Sequence, residues 1–105
     1  MERYDAILWL ENYFAKCCDG EWEHDSGIRI FTLDNPGWSI TFNLEGTAQE
    51  AIPFQRVEIE RSETDWVHCW INDNLWQGRG GPHNLRELIE IFRTWAESSR
   101  SARTA

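Results

Sequence analysis

Three cysteines, three histidines and eighteen carboxylates are the side chains in this chain whose types could do chemistry. Cys17, Cys18, His24 and Cys69, with Glu23 and Asp25 nearby, could be assembled around a metal. Cys18, His24 and the adjoining carboxylates could equally line a small metal- or ligand-dependent active site. Zinc ligands usually come in pairs at C-x₂₋₄-C or H-x₃₋₅-H spacing, and none of His24, His68 and His83 is paired in that way. A cysteine nucleophile needs an exposed thiolate in an electropositive turn, whereas Cys18 sits beside Asp19 and Glu21, which oppose ionisation. Glu21 with Glu23 or Asp25 could move protons, but a solvated acidic loop accounts for them equally well. Gly78-Arg79-Gly80-Gly81 precedes a helix as a phosphate loop would. It has no Gly-Lys-Ser/Thr ending, does not read GxGxxG, and Pro82 removes a donor. The expectation is a protein with no catalytic residue, no metal and no cofactor.

The same carboxylates are more informative as a surface. Eighteen acidic residues against ten basic ones leave a formal charge of −8, which makes free nucleic acid and anionic membrane poor partners and basic proteins good ones. Residues 1–27 hold seven acids against Arg3 and Lys16, and residues 45–65 hold six against two arginines. Seven tryptophans are too many for a core of this size to hide, and Trp is enriched where proteins bind one another. No apolar run reaches the roughly 18 residues of a membrane helix, and the basic-then-apolar layout of a signal peptide is missing. Together with three unpaired cysteines these features point to the cytoplasm.

The elements that position these residues follow from periodicity. From Glu2 to Lys16, Ile7, Leu10, Phe14 and Cys17 recur at helical spacing, with Leu8, Trp9 and Tyr13 widening the stripe, and Asp19-Gly20 ends the helix. Glu21 to Gly27 reads as an ordered polar loop. Gly27 to Leu33 and Trp38 to Leu44 read as a hairpin about Asp34-Asn35-Pro36-Gly37, with a type II turn in which Gly37 supplies the positive φ. A connection over Glu45 to Pro53 leads to strands near Phe54–Arg61 and Trp66–Asn72, joined at Ser62-Glu63-Thr64-Asp65. Asn72-Asp73-Asn74 turns into a short strand, Leu75-Trp76-Gln77. Gly78 to His83 reads as a flexible connection. Asn84 with Glu87 then has a capping-box pattern at the head of a helix whose stripe is Leu85, Leu88, Ile89, Phe92 and Trp95.

This order predicts one α+β domain over residues 1–97: an antiparallel meander of four or five strands with the N- and C-terminal helices packed on one face. Residues 98–105 are small and polar and read as a flexible tail. Without that tail the body holds eight basic and eighteen acidic residues, about −10. Val67, Cys69 and Ile71 would face the helices, leaving Trp66, His68 and Trp70 on the open face. The candidate partner-binding residues are therefore Asp19, Glu21, Trp22, Glu23, His24 and Asp25 in the loop, and Trp66, His68 and Trp70 on the sheet. An oligomer using the Trp face as its own interface is the remaining alternative.

Several strings resemble the immunity protein 53 family: Cys18-Asp19-Gly20-Glu21-Trp22-Glu23-His24, Gly27-Ile28, Thr32-Leu33-Asp34-Asn35-Pro36-Gly37-Trp38, Gly46-Thr47, Asp65-Trp66, and Gly80-Gly81-Pro82 with Asn84-Leu85. The resemblance spans about Trp9 to Trp95, and the two longer Trp-containing strings are specific in combination. It implies a small cytoplasmic α+β protein of a bacterial polymorphic toxin system, which protects its producer by binding and inhibiting a cognate toxin. It carries over no catalytic residues. An acidic inhibitor would suit a basic, nuclease-type toxin, whose cleft must attract phosphates.

Overall fold

A computed structural model describes residues 5–25 and 27–104, with side chains as far as Ser98. Helix α1 spans Ala6–Cys17, and strands β1 to β5 span Ile28–Leu33, Gly37–Asn43, Val57–Ser62, Asp65–Asn72 and Leu75–Gly80. Helix α2 spans Leu85–Thr104, running on through the segment expected to be a tail. The expected first turn at Glu2 to Tyr4 lies outside the described residues.

All four strand pairings are antiparallel, and the spatial order is β1-β2-β5-β4-β3. The α+β class and the antiparallel sheet are as expected, but the path is not a simple meander. After the β1–β2 hairpin the chain crosses to the far edge, returns through β3 and β4, and closes the gap with β5. Gly78 to Gly80 therefore belongs to the central strand, where a flexible connection was expected. Glycine there is a packing requirement: a Cβ on Gly80 would lie 2.9 Å from the Trp66 carbonyl oxygen and 3.0 Å from the Asn84 Cβ.

The turn before β2 also differs. Gly37 is not at positive φ; it pairs with Leu33 as the first residue of β2, leaving three residues in the loop. Its constraint is steric, because a Cβ there would collide with the Gly80 carbonyl oxygen across the sheet. The Asp73-Asn74 turn behaves as short polar residues allow, with φ of 53° and 63° and Asn72 paired directly to Leu75.

The core lies between the sheet and the helices. Ile40, Phe42, Leu44, Val67, Cys69 and Trp76 from the sheet meet Leu88, Ile89, Phe92 and Ala96 of α2. Phe42 and Phe92 stack with centroids 3.6 Å apart, and Tyr13 of α1 meets both rings edge-on. Helix α1 is rolled relative to its expected stripe. Ala6, Trp9, Leu10, Tyr13 and Cys17 face inward, while Ile7 and Phe14 stay exposed, because α1 seats on α2 and Phe42 through the larger Trp9 and Tyr13 rings. Asp5 caps α1 by accepting the Leu8 N–H at 3.0 Å. At the head of α2, Asn84 donates to Asp65 and Glu87, while its oxygen takes the Trp66 N–H of β4. Arg61 bridges Asp65 and Glu87 at 2.7 and 2.6 Å, tying the β3–β4 hairpin to the same helix end.

Gly37→Ala should destabilise the protein by about 1–3 kcal/mol by forcing β2 away from β5. A denaturant melt with an unchanged midpoint would disprove that contact.

Candidate functional site

The loop after α1 is folded by its own acids. Asp19 Oδ1 accepts the backbone N–H groups of Glu21 and Trp22, each at 2.9 Å, and Glu23 turns back to accept those of Asp19 and Gly20 at 3.0 and 2.9 Å. Backbone N–H groups hold both carboxyls below the ordinary carboxylate range: those of Trp22 and Glu21 at Asp19, and at Glu23 its own, then those of Asp19 and Gly20. A single 3-10 turn over Trp22–His24 results. Trp22 was expected among the outward rings, but the structure turns it inward. It is 5% exposed, packs on Phe14 and donates Nε1–H to the Asn43 carbonyl at 2.8 Å. Its role is to pin the loop to the end of β2, which Asn43 reinforces by donating to the Asp25 carbonyl. Glu21, His24 and Asp25 remain exposed and, with Glu45, border a shallow depression of about 610 Å³.

The sheet's helix-free face carries the second set. Trp66, His68 and Trp70 project from β4 as expected, each half-buried. His68 Nε2 lies 3.0 Å from Glu60 Oε2, and its ring meets Trp66 edge-on at 5.2 Å. The guanidiniums of Arg56 and Arg79 lie over the Trp70 ring at 5.5 and 5.6 Å from its centroid. With Arg61, Ser62, Glu60 and Glu63 they surround an open depression of about 630 Å³. The lining of this depression holds three arginines against Glu60 and Glu63. The sequence hid Arg79 because residues 78–81 resembled a loop, whereas Arg56 fell within the strand expected near Phe54–Arg61.

The two sets do not merge. The loop is fastened at Asn43, the end of β2 that pairs with Leu75, whereas Trp66 lies toward the opposite end, where Val67 pairs with Gly80. The two depressions share no lining residue.

The thiols are poorly placed for nucleophilic chemistry. Desolvation, then the Glu23 and Asp19 carboxylates, push the Cys18 thiol up, and its Sγ donates to the Phe14 carbonyl at 3.2 Å. Burial raises Cys69 to about 12 and also raises Cys17. Among the described residues, no group of three or more His, Cys, Asp and Glu side chains is arranged to hold a metal ion. No helix among the described residues is long and apolar enough to cross a membrane.

Residues 7–97, nearly the whole chain, match the family model described as immunity protein 53. No curated protein and no solved structure matches the chain significantly.

The lowered carboxyls of Asp19 and Glu23 have a definite sign. Their contribution to stability is complete above the ordinary values of 3.8 and 4.5, and it is lost as pH falls through the depressed folded values. The double variant Asp19→Asn/Glu23→Gln should show a shallower acid limb in a plot of melting temperature against pH. A limb as steep as that of the unaltered protein would show that the cage contributes nothing.

Proposed function

We propose that this chain, which belongs to the immunity protein 53 family, protects its producer by binding a cognate toxin protein in the cytoplasm and blocking it without catalysis. The toxin in this reading is a basic, nuclease-type domain. The observation that carries it is the loop cage: Asp19 Oδ1 and both Glu23 oxygens are spent on the backbone, so Glu21 and Asp25 are held outward with little ordering left for binding to supply. A chain of net charge −8 with rigidly displayed carboxylates attracts a positively charged cleft at long range.

The roles within the candidate set are unequal. Glu21 and Asp25 form the electrostatic contact, with His24 beside them. Asp19, Trp22 and Glu23 hold the loop in shape. Trp66, His68 and Trp70 supply a separate aromatic patch, and half-buried rings of this kind give tight, slowly released contacts. Engagement of both patches requires a toxin that reaches from the end of β2 around to the helix-free face.

Co-expression with the protein encoded immediately upstream tests the reading first, with rescue from growth arrest as the expected result. Continued arrest, with no complex in solution, would remove it. In binding kinetics, Glu21→Arg/Asp25→Arg should slow association about tenfold at low salt and flatten its salt dependence. Trp70→Ala should chiefly speed dissociation, by about ten- to thirtyfold. Unchanged rates in both variants would exclude these surfaces.

A further inference from the structure

The helix-free face has a chemistry the rest of the molecule lacks. Ten basic residues serve the whole chain, yet three of them, Arg56, Arg61 and Arg79, line this one depression. Two of the three are already neutralised: Arg56 pairs with Glu58 at 2.8 Å, and Arg61 with Asp65 and Glu87. Arg79 is different. It is exposed, stacks over Trp70, and has no carboxylate partner among the described residues.

Its backbone sits in the middle strand of the sheet. β5 is paired on both sides, with Arg79 opposite Ser39 of β2 and His68 of β4. A guanidinium stacked on an indole keeps its planar fork of N–H donors in a restricted orientation, which is the geometry a carboxylate matches with two parallel bonds. His68 is the cross-strand neighbour of Arg79 on the same face, and Trp66, in ring contact with His68, lines the same depression.

We propose that this depression is a carboxylate-recognition site, in which Arg79, fixed on the Trp70 ring and flanked by Trp66 and His68, receives an acidic side chain of the partner protein. The inference rests on the reading that the partner is a protein toxin. It adds that the toxin contacts this face with an acid, opposite in sign to its contact with the loop. Charge separates this occupant from a nucleic acid. The −8 of the whole chain repels each added phosphate of a polyanion, whereas a single acid needs only the one guanidinium, that of Arg79, left without a carboxylate partner among the described residues, in a lining that also holds Glu60 and Glu63.

The test uses the full chain and no toxin, so its failure is distinguishable from failure of the immunity reading. The indole N–H resonances of Trp66 and Trp70 are followed by NMR during titration with the capped peptide acetyl-Gly-Glu-Phe-Glu-Gly-amide. Trp22 and Trp95 serve as internal references. The expected result is a saturable shift at Trp66 and Trp70 alone. It should weaken about tenfold when both Glu in the peptide become Gln, and by a similar factor in Arg79→Gln. Trp70→Leu, which leaves the strand paired, should lose the response at Trp66 as well. Equal binding of the Gln peptide, or full binding by Arg79→Gln, would overturn the site. Free glutarate binding as tightly as the peptide would reassign it to small acids, and tighter binding of a short oligothymidylate would reassign it to nucleic acid. Either result would overturn the proposal.

Discussion

The two backbone ladders made by β5 join what would otherwise be separate hairpins. One edge of β5 runs from Leu75 to Gly80 against β2, and the other pairs the same six residues with β4. Both ladders need the chain to be thin at one end. Gly37 of β2 touches the Gly80 carbonyl, and Gly80 itself lies under the Trp66 carbonyl. On one side this strand carries Trp76 into the ring cluster of Phe42, Phe54 and Phe92; on the other it carries Arg79 to Trp70. Core and open face are thus set by one six-residue segment.

Tryptophan in this molecule mostly connects. Trp9 donates to Glu97, Trp22 to the Asn43 carbonyl, Trp38 to the Pro82 carbonyl and Trp95 to the Pro53 carbonyl, each joining segments at least 21 residues apart. An indole combines a large apolar face with one donor, so it can anchor an irregular connection to the core without leaving a polar group unmatched. Trp76 is the exception, fully buried with Nε1 unpartnered among the described residues. Only Trp66 and Trp70 stand on the helix-free face, in contact with His68 and with Arg56 and Arg79.

The readable parts of the sequence were those governed by periodicity. The alternation of Val67, Cys69 and Ile71 with Trp66, His68 and Trp70 placed β4 and its two faces correctly, and the Leu85-to-Trp95 stripe located α2. The misread parts were governed by contacts between distant segments. Gly78-Arg79-Gly80-Gly81 carries the local signature of a loop, and only the nearness of Trp66, Leu88 and Gly37 explains why glycine is needed in a central strand. Phe14 looked like core because its spacing fits, but Tyr13 won the inward position by reaching Phe42, Phe92 and the Gln49 side chain. Within the candidate site, the exposure of Glu21, His24 and Asp25 was legible. The inward turn of Trp22 was not, since its partner is a carbonyl 21 residues away.

The strand order also governs how the molecule is completed during synthesis. The β1–β2 and β3–β4 hairpins emerge first, each able to form locally, but their shared neighbour is the last strand to be made. Until residues 75–80 emerge, the nascent chain holds two half-sheets with four unpaired edges, and pairings such as Ile40 with Gly78 must then close long loops. The five-stranded sheet can be completed only once those residues are available. A chain that ends before residue 75 lacks both the strand that joins the two hairpins and the core indole of Trp76.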